Sequence, residues 1–121
     1  MGGLLGEIMQ APTRPSKERM ATYGNRPDGT PKGAGYFGEI PHPKKPGVFS
    51  TELSIGVNFD GEETQIPLLV PTLSRQDIDA VIAGKDTDAI VRKAVDHAKM
   101  RLQQGKSPYA APDEFYDLPS K

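Results

Sequence analysis

Alternation of apolar and polar residues is confined to the middle of the chain. In VFSTELSIGVNF, residues 48–59, Leu53, Ile55, Val57 and Phe59 fall on one face of a strand. Asp60-Gly61 follows, the pair favoured in two-residue type I′ hairpins. EETQIPLLV then supplies a second strand. A two-residue loop pairs Phe59 with Glu62, which sets Ile55 opposite Ile66 and Leu53 opposite Leu68. Only this register brings both apolar sets to one face. Pro67 lands opposite Ser54 and cannot donate to a ladder, so the second strand is expected to be an edge or bulged there.

The period then changes to that of helices. Ser74 and Asp77 form an S-x-x-D cap signature, Ile78, Val81 and Ile82 make a buried stripe, and Gly84 ends the element. Asp86 or Thr87 caps a longer helix. Its expected apolar face is Ile90, Val91, Ala94, Val95, Ala98 and Leu102, with Arg92, Lys93, Asp96, Lys99 and Arg101 on the polar side. Gly105 stops it, and Pro108 follows. Residues 48–105 therefore predict an α+β core domain, a small antiparallel hairpin packed on two helices.

The flanks show no such periodicity. Residues 1–22 read as an N-terminal arm, 23–47 as a Gly/Pro-rich extended segment, and 106–121 as an aromatic, acidic C-terminal tail. Composition supports that division. Only 36% of the 121 residues are hydrophobic, and the 12 prolines and 13 glycines make up about a fifth of the chain. Both flanks nevertheless carry apolar anchors: Leu4, Leu5, Ile8, Tyr23, Tyr36, Phe37, Tyr109, Phe115 and Tyr116. Such segments cannot offset their ordering entropy alone but can when laid on a partner, so these nine are the candidate partner-binding residues.

The formal net charge of −1 gives no global field for nucleic acid or an anionic membrane. Between Pro12 and Gly47, seven cations (Arg14, Lys17, Arg19, Arg26, Lys32, Lys44, Lys45) face three acids (Glu18, Asp28, Glu39). A solvated arm or an arm lying along a partner both fit that local excess. The absence of cysteine excludes a disulfide framework and any thiolate site. No stretch has the apolar length of a membrane span, and no membrane partner is expected.

Gly33, Gly35 and Gly38 spell G-x-G-x-x-G, the spacing of a dinucleotide-binding turn. The context fails. No apolar strand precedes Gly33, and Pro41 and Pro43 forbid the helix whose N-terminal amides would hold a pyrophosphate. The glycines are expected instead to let the backbone turn and lie flat against the hairpin or a neighbouring subunit, with Tyr36 and Phe37 as anchors. His42 and His97, the two histidines, read as surface residues. The acid pairs Asp77/Asp79 and Asp86/Asp88 read as helix N-terminal charges. With no acid–base pair, nucleophile elbow or ligand cluster in view, the chain is expected to be non-enzymatic, with no cofactor and no metal.

Three stretches carry a resemblance when read in order: NRPDGTPKGAGYFGEI, STELSIGVNFDGEETQIPLLVPTLS and AIVRKAVDHAKMRLQQGKSPYA. The matching residues are Arg26, Asp28-Gly29-Thr30, Lys32-Gly33, Gly35, Gly38, Thr51-Glu52, Ser54 to Val57, Ile66-Pro67, Leu69 to Leu73, His97-Ala98, Arg101 and Gly105 to Tyr109. Over roughly residues 23–110 the chain resembles a small module recurrent in virion-associated proteins of tailed bacteriophages. The resemblance implies a structural component of the particle, located in the virion and made in the host bacterial cytoplasm. Its implied partners are other virion proteins (portal, tail or capsid subunits), met in multiple copies on a symmetric assembly. A second reading stays open, a soluble phage-encoded protein acting in the infected cell, on nucleic acid through the basic segment 14–45.

Overall fold

The computed structural model describes residues 15–121. In chain order the elements are α1 (Lys17–Met20), β1 (Ile40–Pro41), β2 (Phe49–Ser50), β3 (Ser54–Phe59), β4 (Glu62–Pro67), α2 (Arg75–Ile82) and α3 (Asp88–Gln103). Among the described residues they form two two-stranded antiparallel sheets and three helices, a small α+β fold.

The β3–β4 hairpin has the register set by its apolar pattern, with Phe59 opposite Glu62, Ile55 opposite Ile66, and Ser54 opposite Pro67. Asp60 and Gly61 both adopt positive φ, 53° and 86°, as a type I′ turn requires. Leu68 donates to the Leu53 carbonyl at 2.8 Å, so hydrogen-bonded pairs fall at every second rung and Pro67 occupies a rung that needs no N–H toward β3. That position is why the strand accommodates a proline without a bulge at Ser54.

Ser74 caps α2 in a complete capping box with Asp77, and Thr87 caps α3 by accepting from the Ile90 amide. Both helices end in the same motif. Gly84 donates to Val81 and Lys85 to Ala80; Gly105 donates to Leu102 and Lys106 to Arg101. One face of α3 departs from expectation. Ile90, Ala94, Ala98 and Arg101 are buried, while Leu102 is 43% exposed. At 3.6 residues per turn Arg101 lies only about 20° from Ile90 around the axis, whereas Leu102 lies about 120° away. A cation thus holds the core position, and the leucine sits on the flank.

The flanks also differ from expectation. Tyr36, Phe37 and Ile40 are buried in one cluster with Ile66, Leu68, Leu69, Val70, Leu73, Ile78, Val81, Ile90, Ala94 and Ala98, and Ala34 is buried as well. Ala110 and Leu118 pack against that cluster, and Tyr109 is buried. The segment 23–47 and the start of the tail therefore contribute to the core rather than standing apart as coreless arms. Irregular backbone makes this possible. Gly35 and Gly38 sit at φ 72°, and a side chain on Gly35 would strike the Thr51 carbonyl. The glycine run lies flat against Thr51 and Glu52, which puts the Tyr36 and Phe37 rings inside without any periodic signature. No helix opens at Gly38, as Ile40–Pro41 is a strand instead.

Candidate functional site

The buried polar side chains of the described residues, Thr51, Glu52 and Arg101, gather between the glycine run, the start of β3 and the C-terminal end of α3. A tight loop begins the arrangement. Lys32 donates to the Gly24 carbonyl, Arg26 to Thr30, and Asn25 bridges Pro31. Asp28 accepts from the Thr30 amide and hydroxyl, which holds its carboxyl below the ordinary range. The loop aims Arg26 inward.

Arg26 meets Glu52 in a bidentate pair, Nε to Oε1 at 2.9 Å and Nη2 to Oε2 at 2.7 Å. Glu52 is 2% exposed, and its Oε2 also accepts from the Gly33 amide at 2.9 Å. Three charge-assisted bonds therefore satisfy a buried carboxylate. The hydrogen bonds to Glu52 are the largest cause holding the guanidinium above its usual value. Above Arg26 lies the ring of Tyr109, its centroid 3.9 Å from the guanidinium carbon. The Tyr109 hydroxyl shares a 2.6 Å hydrogen bond with Ser54 at the base of β3.

A second cation works from the other side. Arg101 is 4% exposed, and its Nε and Nη2 donate to the carbonyls of Ser107 (2.8 Å) and Tyr109 (2.9 Å). Its Nη1 donates to Glu114 at 2.6 Å, and Glu114 also accepts from the Ala111 amide. Pairing with Arg101 keeps the Glu114 carboxyl below its ordinary value. Tyr36 fills the space between. Its hydroxyl has one proton and donates it to the Pro108 carbonyl at 2.8 Å. His97 Nε2, 3.2 Å from the same oxygen, therefore meets it as the Nε2–H tautomer. Burial pushes the Tyr36 phenol up to about 12 and, together with Arg101, holds His97 below its ordinary value.

The arrangement is an interlock. Each carboxylate accepts from a guanidinium and a backbone amide, and each cation is directed at a fixed acceptor. Its chemistry is that of cohesion. It ties residues 24–33, the start of β3, the last turns of α3 and the strap after Pro108 into one body. Among the described residues no group of three His, Asp or Glu side chains is placed to hold a metal ion. No described helix is long and apolar enough to cross a membrane.

The nine expected partner anchors are distributed unevenly. Tyr36 (1% exposed), Phe37 and Tyr109 are core residues, a correction to their reading as partner-binding residues: the Gly35 and Gly38 turns and the Arg26 stack direct their rings inward, which leaves the protein's own body as what they anchor on. Tyr23 is half-buried, donating to Glu39 at 2.6 Å and meeting the Phe49 ring edge-on. Phe115 is half-buried, and Tyr116 is 45% exposed. Leu4, Leu5 and Ile8 lie outside the described residues. His97 is a second correction. It is half-buried against the Tyr36 ring, 5.2 Å between centroids, rather than a surface histidine. His42 is half-buried in the β1–β2 turn, where its Nδ1 accepts from the Lys44 amide. Arg26, Glu52 and Arg101 were present in the motif set but escaped selection as site residues. For Arg101 the available signal was its helical phase with Ile90, Ala94 and Ala98; Arg26 and Glu52, 26 residues apart, carried none beyond their place in the motif set.

No protein-family model matches the chain, and neither does any curated protein or solved structure.

Proposed function

We propose that the chain is a non-enzymatic structural component of a tailed bacteriophage particle, binding neighbouring virion subunits through its N- and C-terminal segments. One observation carries the reading. The motif residues that resemble the virion-associated module come from three separated stretches, and they converge on the same interlock. Arg26, Gly33 and Gly35 from the first meet Thr51, Glu52 and Ser54 from the second and Tyr109 from the third. Their polar atoms are engaged with one another, which suits a stiff module whose signature maintains shape. Function then falls to the surface around it. Among the described residues the large exposed apolar side chains are Val48, Met100, Leu102 and Tyr116. They stand on the β1–β2 turn, the end of α3 and the tail, so contacts in several directions are available, as a subunit set among neighbours needs.

The basic segment gives less support to a nucleic-acid role. Arg26 is drawn inward onto Glu52, and Arg19, still half exposed, shares its charge with Glu39, which weakens any phosphate-facing surface. Quantitative mass spectrometry of gradient-purified particles tests the proposal. A stoichiometric copy number in particles is the expected outcome. Presence in the lysate together with absence from particles would overturn it.

A further inference from the structure

The C-terminal strap rests on a surface whose side chains are positioned by residues outside it as well as by the strap. Arg101 is aimed by the Ser107 and Tyr109 carbonyls, neither of which belongs to the strap beyond Ala111. That leaves Nη1 presented outward, to Glu114. Tyr36 is fixed in the same way by Pro108 and His97. It offers the strap its backbone carbonyl, which accepts from the Tyr116 amide at 2.8 Å, and its ring, 6.1 Å from that of Tyr116. Leu118 then packs against the core. The surface thus reads a carboxylate, an aromatic residue with its N–H, and an apolar residue at every second position. This is the period of an extended segment.

The strap itself has no helix or strand after Gln103. A single turn joins it to the body: Glu114 donates to the Ala111 carbonyl while the Ala111 amide donates to the Glu114 carboxylate. Pro112 and Asp113 in that turn are exposed. Opening the turn would carry Glu114, Tyr116 and Leu118 outward together.

We propose that this surface is an exchange site between copies of the chain, in which the strap of one molecule seats on the Arg101–Tyr36 surface of the next. The occupant is argued from complementarity already present. The chain's own strap fits, so exchange replaces the contacts of Glu114, Tyr116 and Leu118 with the body by identical ones, at the cost of the closed turn at Pro112–Asp113, and leaves the hinge, connectivity and concentration to decide. A short tether holds its segment at an effective concentration on the order of millimolar, so exchange competes where copies are crowded, as on a symmetric assembly. The inference deepens the structural-component reading and rests on it for that crowding.

Light and 15N-labelled full-length chains, mixed at up to about 1 mM and allowed to exchange, test it. Carbodiimide would join Lys106 to Asp113 or Glu114, which line one cleft of about 630 Å3 with Arg26 and Arg101. The expected result is light–heavy linked peptides in the associated fraction and none in the monomer. Glu114→Lys, which sets two cations against each other, should abolish association, with its cost in Tm measured alongside. Removal of residues 112–121 should do the same. Absence of association at every concentration, or associated species linked only within single chains, would overturn exchange. Association that persists with residues 112–121 removed would overturn it as well, pointing to another surface. The particle copy number is measured separately, so exchange can fail while the structural role stands, and the reverse.

Discussion

Glu52→Gln is the sharpest perturbation of the interlock, because it keeps the shape of the side chain and removes only its charge. The carboxylate now accepts three bonds: Arg26 Nε on one oxygen, and Arg26 Nη2 with the Gly33 amide on the other. A glutamine has one acceptor oxygen and one NH2 group. With its oxygen in the Oε2 place it keeps Gly33 and Nη2 but turns its NH2 toward the Nε–H donor. The reverse orientation loses two bonds. Either way a donor faces a donor, and the buried cation loses its counter-charge. Breaking a fully buried pair costs about 3–5 kcal/mol. Arg26 keeps 17% of its side chain exposed, and two bonds survive in the better orientation, so about 2–3 kcal/mol is expected here. For a chain of this size that lowers Tm by roughly 6–12 °C. Urea denaturation followed by circular dichroism should show a lower midpoint at unchanged slope. The control is Glu62→Gln, on the exposed hairpin turn, which should melt with the parent. Glu52→Gln melting with the parent would refute the account of the interlock as the cohesive centre.

The other predictions use the same measurement. Gly35→Ala should cost well over the roughly 1–2 kcal/mol of a left-handed residue, because its Cβ strikes the Thr51 carbonyl, whereas Gly61→Ala, at φ 86° with open space around it, should cost no more than that strain. Equal losses at the two glycines would remove the close-approach argument. Ile66→Ala, at a fully buried position, should cost about 2–5 kcal/mol and Ile55→Ala, half-buried on the partner strand, distinctly less. Acidification should lower Tm in two stages. His97 is held below its ordinary 6.5, so as pH falls below that value the unfolded chain binds a proton that the folded chain refuses, and stability declines down to the folded value. Glu39, Asp77 and Glu114 are held below their ordinary values, so their stabilisation is present above those values and is lost as pH falls through the lower folded ones. His97→Gln, whose amide can still donate to Tyr36, should erase the first stage alone.

Legibility in the sequence followed the range of the interactions. The hairpin register was readable because a period of two and a two-residue turn leave one solution, and Ile55 opposite Ile66 is that solution. The caps were readable because Ser74, Asp77, Gly84 and Gly105 act within one turn of themselves. Tyr36 was not, since its burial depends on two positive-φ glycines folding an aperiodic segment onto Thr51, about fifteen residues away in sequence. Arg101 was misplaced for a different reason. Residue type argued for solvent, while helical phase placed it with Ile90, Ala94 and Ala98, and three acceptors from the following segment made the buried position tolerable. The pair Arg26–Glu52 joins residues 26 apart and has no periodic signature at all.

The interlock also changes what an interface on this chain can be made of. With Tyr36, Phe37 and Tyr109 inside, the large aromatic anchors left to the described surface are few, and Tyr116 is the most exposed. The charges are similarly reduced. Arg19 and Arg26 are neutralised by Glu39 and Glu52, so the exposed positive charge of the segment after residue 15 rests on lysines such as Lys17, Lys44 and Lys45. Lys44 and Lys45 sit beside exposed Val48 in a turn closed by His42 and Val48, a compact basic tip with an apolar neighbour. Lysines of this kind steer encounter more than they hold it, and their effect fades with salt. Retention on a partner should therefore depend on Tyr116 and the strap, and approach on the lysine tip. In the structural role proposed above, substituting Lys44 and Lys45 together by Gln should slow incorporation into particles at low salt and leave it unchanged at high salt, while Tyr116→Ala should weaken it at both. A Tyr116→Ala chain that incorporates like the parent at high salt would move the holding contact away from the strap.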